Sequence, residues 1–94
     1  MDKATIMQAL EKVIDPELGV PITKMDLIDE VEISGSGDVT IDFHLTMPFC
    51  PNKFALQIAK EIHATVSSLP GVGQVKVMLS EHVHADEINA EVNQ

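Results

Sequence analysis

Two neighbouring segments in the middle of the chain alternate apolar and polar residues with a period of two. In residues 28–34, Val31 and Ile33 alternate with glutamates, and in residues 39–46 every odd position is apolar. The segment between them, Ser-Gly-Ser-Gly-Asp at 34–38, has the composition of a turn. The pattern predicts an antiparallel hairpin with one apolar and one polar face. It constrains the whole fold, because the apolar face needs a second layer to cover it.

Two longer segments repeat their apolar residues at helical spacing. Residues 3–14 are predicted to form an amphipathic helix that ends ahead of Pro16, since the residue before a proline is driven out of the helical region. A loop over residues 15–23 follows. Residues 51–68 are predicted to form a second helix, with Pro51 at its first position.

The remaining elements complete a small α+β domain. Alternating apolar residues at 75, 77 and 79 predict a third strand, and residues 85–92 predict a short polar helix. A full crossover would place the third strand parallel to the second, with a right-handed connection. We therefore expect a two-layer sandwich with the order helix, strand, strand, helix, strand and a final helix, around a small mixed three-stranded sheet. The chain is one domain, 1–94, with a core at about 3–80 and a C-terminal extension at 81–94.

Charge and cysteine content narrow the classes of function. The chain has 15 acidic and 6 basic residues and a net charge of -9, which argues against nucleic acids and anionic membrane surfaces as partners. One cysteine excludes an internal disulfide framework. No apolar run is long enough for a membrane span, and the N-terminus lacks a signal-like segment. These features predict a cytoplasmic protein.

The single cysteine, Cys50, lies between the second strand and the second helix. A position just before a helix N-terminus favours a thiolate, because backbone N–H groups and the positive end of the helix dipole are close by. Unpaired cysteines are also among the most buried residues, so a structural role in the core is an equal alternative.

Two further residues are candidates for the same site. If the loop carrying Asp15 and Glu17 reaches Cys50, a carboxylate beside a thiol favours metal ligation over nucleophilic catalysis, since a metal ion attracts both anions. Asp15 is alternatively a turn residue ahead of Pro16. The Thr46 hydroxyl either bonds a backbone group at the strand end or orients the sulfur site.

The histidines give a weaker signal. His82 and His84 would project from the same side of an extended segment and would then form a pair of metal ligands, although no third ligand is near in sequence. His44 falls on the polar face of the hairpin, where we expect it to pair with Glu30 or Glu32.

Four motifs follow one another along the chain: Val13-Ile14-Asp15-Pro16-Glu17-Leu18-Gly19, Leu45-Thr46-Met47-Pro48-Phe49-Cys50-Pro51, Leu69-Pro70-Gly71-Val72 and Val75-Lys76-Val77. In this order they resemble the motifs of the MIP18 family, also called the DUF59 family, which includes SufT-like iron–sulfur assembly factors. The similarity covers about residues 4–80.

The resemblance implies an iron–sulfur assembly-type fold and a non-catalytic role in maturing metal–sulfur clusters. It implies Cys50, Asp15 and Thr46 as the residues of a cofactor site, with Cys50 and Asp15 as metal ligands. Two features depart from the family: Phe49 replaces a small residue, and the tail after Ser80 lacks the common aromatic, proline-rich sequence.

One thiolate is too few for a cluster, which normally has about four. We therefore expect either a labile iron–sulfur cluster, held by two cysteines of a homodimer with small thiols or a recipient protein supplying the other ligands, or an adaptor that binds no cluster and docks an iron–sulfur carrier onto its apo target. Two alternatives stay open: an interaction domain with a structural cysteine, and a single-cysteine thiol enzyme. The second is weaker, because the nearest cationic residue in sequence is Lys53.

Overall fold

The structure is a computed structural model that describes residues 2–46 and 51–93. Within these ranges the order of elements is the predicted one. The elements are α1 (Lys3–Leu10), β1 (Ile28–Ile33), β2 (Val39–His44), α2 (Asn52–Ser67), β3 (Val75–Ser80) and α3 (Ala85–Val92).

The strands form one three-stranded mixed sheet with the order β1-β2-β3. β1 and β2 pair antiparallel, which confirms the hairpin, and β2 and β3 pair parallel, which confirms the crossover through α2. The carboxyl ends of β2 and β3 consequently lie side by side, with His44 opposite Ser80. The α+β class and the two-layer arrangement are those expected from the sequence.

The helices cover the apolar face of the sheet and leave the other face open. α2 has a strongly amphipathic pattern, and its core-facing residues are almost completely buried together with the inward residues of the strands. The residues of this interface are Ala55, Ile58, Ala59, Ile62 and Val66 of α2 and Val31, Val39, Ile41, Phe43, Val77 and Leu79 of the sheet. Glu30 and Glu32 on the opposite face are exposed, as predicted.

α1 is shorter than the predicted helix and ends at Leu10. Val13 keeps its place in the core, but Ile22 N–H donates to its carbonyl at 3.0 Å and Ile14 forms an isolated bridge with Pro21. These long-range bonds draw the segment away from the helix axis. The prediction that Pro51 is the first helical residue is also wrong: it is the N-cap, with ψ at 135°.

A β-bulge interrupts β1 at Asp29. Ile28 lies opposite Phe43 and Glu30 lies opposite Asp42, which leaves Asp29 as an extra residue. The bulge places the Asp29 carboxylate beside the ring of His44, with Oδ1 at 2.8 Å from Nδ1. The expected pairing of His44 with Glu30 or Glu32 is therefore wrong.

α3 covers the outer edge of β3 through two asparagines spaced four residues apart. The Asn89 side chain accepts from Leu79 N–H at 2.7 Å and donates to Leu79 C=O at 3.1 Å. Asn93 does the same for Val77, at 2.9 and 2.8 Å. Four residues of helix rise about 6 Å, close to the roughly 6.6 Å between alternate strand residues. The side-chain amides thus replace a neighbouring strand.

In the ranges that the structure covers, no helix is both long and apolar enough to cross a lipid bilayer.

Candidate functional site

The Asp15 side chain organises the loop that follows α1. Its Oδ1 accepts from the backbone N–H of Glu17 at 2.7 Å and of Leu18 at 3.2 Å, while its own N–H donates to Val20 C=O. This is the turn geometry typical of aspartate ahead of proline. Gly19 completes the turn with φ at +68°, in the left-handed region that suits glycine. The predicted turn role of Asp15 is confirmed.

The turn role leaves part of the Asp15 carboxylate available. The residue is only 8% exposed, and both of its side-chain bonds are to Oδ1. In the described parts of the chain, no buried side-chain oxygen or nitrogen lacks a partner. One oxygen holds the loop, and the other has no hydrogen-bond partner within residues 2–46 and 51–93.

Backbone hydrogen bonds connect this loop to the carboxyl end of β2. Ile22 N–H donates to Val13 C=O, Leu27 N–H donates to Ile22 C=O, and His44 N–H donates to Leu27 C=O at 3.0 Å. The last bond is two residues from Thr46. Asp15 and Thr46, far apart in sequence, are thus tied to the same end of the sheet.

Thr46 is exposed on the bend after β2. Its hydroxyl makes no hydrogen bond within residues 2–46 and 51–93, and both interpretations, a bond to a backbone group before the helix or orientation of the sulfur site, stay predictions. It lines a cleft of about 570 Å³ between the ends of β2 and β3. His44, Leu45 and Thr46 form one wall of this cleft, and Glu81, His82 and Val83 form the other.

The sequence analysis did not predict that residues 81–83 lie near Thr46. The predicted parallel pairing of the second and third strands would have indicated it, because parallel strands bring their carboxyl ends together. Two features mark this wall: Glu81 has φ at +55°, a conformation that is costly for a residue with a Cβ, and Val83 is 66% exposed.

His82 and His84 are not in the extended arrangement that their predicted pairing assumed. His82 is buried, and His84 is exposed and caps α3, with ring centroids 6.1 Å apart. The His84 backbone N–H donates to His82 Nδ1 at 3.0 Å, so a neutral His82 ring carries its proton on Nε2. This tautomer suits a hydrogen-bond donor. Metal ligation by the pair stays a prediction.

Cys50, the central residue of the predicted site, lies outside the described residues. The described chain resumes at Pro51, and α2 begins at Asn52, two residues after the cysteine. Its predicted place ahead of a helix is therefore correct along the sequence. Its ligation with Asp15 and its relation to Thr46 stay predictions.

Within the part of the chain that the structure covers, one group of three acidic, imidazole or thiol side chains has its ligand atoms within 4.8 Å of one another. It consists of Glu30, Glu32 and Asp42 on the open face of the sheet. These residues belong to the solvent-exposed side of the hairpin and do not line the cleft.

Comparison with known proteins places this arrangement in a family. Residues 3–77 match the family model described as iron–sulfur cluster assembly protein. An Fe–S protein maturation auxiliary factor of Bacillus subtilis is 39% identical over 75 residues, which are 80% of this chain and 72% of that protein. An iron–sulfur cluster carrier protein of Mycobacterium leprae is 36% identical over 85 residues, 90% of this chain but only 21% of the relative. The chain thus spans about a fifth of the carrier proteins it matches.

A solved structure supports the same assignment. The crystal structure of a DUF59 domain from Bacillus anthracis superposes with a TM-score of 0.77 at 31% identity, covering 82% of this chain and 72% of that one. The motif resemblance found in the sequence is thereby confirmed. The chain belongs to the iron–sulfur cluster assembly protein family, the DUF59 or MIP18 family.

Proposed function

We propose that the protein is an iron–sulfur cluster assembly factor that holds iron or a labile cluster through Cys50, with Asp15 and Thr46 completing the site, and passes it to apo-proteins. The observation that carries this proposal is the hydrogen-bonded connection of the Asp15 loop to the end of β2, beside Thr46. The names of the Bacillus and Mycobacterium relatives point to the same role.

The donor set fits this cargo. A thiolate, a carboxylate oxygen and a hydroxyl are each available ligand types for iron, but one chain supplies fewer thiolates than the usual four. A cluster bound here therefore needs further ligands from a second copy, a small thiol or the recipient. Such a shared site releases its cargo easily, which suits transfer and not storage.

Anaerobic reconstitution with iron and sulfide tests the proposal. Wild type should develop visible absorbance and should activate an apo iron–sulfur protein, and Cys50→Ala should do neither. Native mass would show whether the loaded species contains one chain or two. Equal absorbance in both proteins would overturn the role of Cys50. A colourless wild type that still accelerates activation would indicate an adaptor instead of a carrier.

Two matched variants probe the other residues. Asp15→Asn keeps an oxygen that can accept from Glu17 and Leu18 N–H but removes the negative charge, so the fold should persist while iron binding weakens. Thr46→Val removes an exposed hydroxyl that has no described partner, so thermal stability should not change. Undiminished loading and transfer in both variants would remove these residues from the site.

A further inference from the structure

A carboxylate orients the ring of His44. Its Nδ1 lies 2.8 and 3.0 Å from the two carboxylate oxygens of Asp29. An ionised carboxylate only accepts, so Nδ1–H donates, and in the neutral ring the lone pair is on Nε2. In the described parts of the chain, Nε2 has no hydrogen-bond partner. The side chain is 28% exposed and forms part of the cleft wall.

The orientation depends on a specific irregularity of the sheet. Without the bulge, the alternation of β1 would continue unbroken, and Asp29 would point to the same side as the buried Val31. The extra residue instead turns the carboxylate to the open side, where His44 lies. The backbone conformation at the bulge therefore places the Asp29 carboxylate beside His44.

The second imidazole of the cleft, His82, is the opposite tautomer. His82 uses Nδ1 to accept from the His84 N–H, so its Nε2 is a proton donor. The two imidazoles that line the cleft thus differ in their neutral tautomers, with the proton on Nδ1 in His44 and on Nε2 in His82.

We propose that His44 Nε2 is a nitrogen ligand for the iron of the transferred cargo, with Asp29 as its orienting partner. The inference rests on the proposed function and extends it. Metal-ligating histidines in proteins typically donate their other ring N–H to a carboxylate, which fixes the tautomer and raises the basicity of the ligating nitrogen. Imidazole is a suitable ligand for iron and for zinc.

A nitrogen ligand also addresses the shortage of thiolates. Iron–sulfur centres with mixed cysteine and histidine ligation exist, and imidazole replaces thiolate in them. His44 belongs to no group of three closely spaced ligand side chains among the described residues. The site is accordingly open, and an ion bound there exchanges readily.

Zinc titration of histidine-labelled protein tests the ligand directly. The long-range ¹H–¹⁵N spectrum of the imidazoles reports each ring nitrogen, and Zn²⁺ avoids redox chemistry. We expect the His44 Nε2 resonance to shift while Nδ1 stays protonated. The apparent Kd should rise at least about tenfold in His44→Ala and by about tenfold or more in Asp29→Asn, the range seen when an outer partner of a metal ligand is lost.

Two control variants separate this site from its surroundings. His63→Ala removes an imidazole of α2 whose Nδ1 lies 3.4 Å from the Ser67 hydroxyl, and this variant should bind zinc as wild type does. Glu32→Gln disrupts the acidic group on the open face and should also leave the His44 shift unchanged. Melting temperatures of all variants show whether each remains folded, and His44→Gln replaces His44→Ala if that variant does not fold.

The outcomes distinguish this inference from the proposed function. An unshifted His44 Nε2 at saturating zinc overturns the inference. So does a His44→Ala protein that reconstitutes with iron and sulfide as fully as wild type, and in that case the role of Cys50 stands. A zinc-dependent shift of His44 in a protein that neither forms a cluster nor assists transfer would support the ligand and overturn the proposed function.

Discussion

The two edges of the sheet are protected in different ways. On the β3 side, Asn89 and Asn93 bond the backbone groups of Val77 and Leu79, so that α3 takes the place of a fourth strand. On the β1 side, α1 packs against the strand, and the bulge at Asp29 and acidic side chains interrupt the edge. Bulges and charges are common means of preventing edge-to-edge pairing. One edge is satisfied by hydrogen bonds, and the other is made unsuitable for pairing.

The largest effect is expected at the β3 edge. Asn93→Ala leaves the N–H and C=O of buried Val77 without their partner, which should cost about 2 kcal/mol in the free energy of unfolding. Adding Asn89→Ala should roughly double the loss. Urea unfolding measures it, and amide exchange should accelerate at Val77 and Leu79. Glu91→Gln on the same helix serves as the control and should change stability by a few tenths of a kcal/mol. An equal loss in the control would contradict the edge-sealing role.

A smaller effect of opposite sign is expected at the β1 edge. Glu30 lies directly opposite Asp42, and like charges in that position repel. Glu30→Gln should therefore stabilise the protein by about 0.5 kcal/mol. The gain should shrink as salt screens the repulsion. Thermal unfolding at low and high ionic strength checks both statements. A salt-independent gain would show that packing, and not charge, is responsible.

The smallest effect concerns Asp2, the N-cap of α1 on the β1 side. The backbone N–H of Thr5 and then its hydroxyl lower the pKa of the Asp2 carboxyl, with both bonds made to Oδ1. Its contribution to stability is thus present above the ordinary carboxyl pKa and is lost as the pH falls through the lowered value. The stability difference between wild type and Asp2→Ala should shrink between pH 6 and pH 2. With Asp2→Asn, which cannot titrate, the difference from the alanine variant should not follow this pH dependence.

Local periodicity was sufficient for the parts of the fold whose partners are close in sequence. The hairpin, α2 and α3 follow from alternation and helical spacing, and the parallel third strand follows from the crossover rule. The end of α1 could not be predicted in this way, because Val13 continues the helical spacing although its carbonyl accepts from the backbone N–H of Ile22. The pairing of His82 and His84 depended on an extended segment, and the turn that leads into α3 separates the two rings instead.

The site was only partly predictable for the same reason. The turn role of Asp15 is local and was expected, whereas its connection to β2 passes through a series of three backbone bonds that ends in the long-range bond from His44 to Leu27. The bulge is visible in the sequence as a break in the alternation of β1. Ile28 and Val31 both face inward although two residues separate them, so that Asp29 and Glu30 stand together on the outside. An irregular interval in an otherwise strict pattern indicated the residue that orients His44.

One wall of the cleft lies inside the range of residues that the family model matches, and the other wall lies outside it. His44, Leu45 and Thr46 lie inside the region that matches the family model, whereas Glu81, His82 and Val83 lie after its end at residue 77. A substitution at 81–83 therefore alters the shape and polarity of the entrance without changing the wall formed by residues 44–46. The molecules that fit the cleft thus depend on residues beyond the matched region as well as on those inside it.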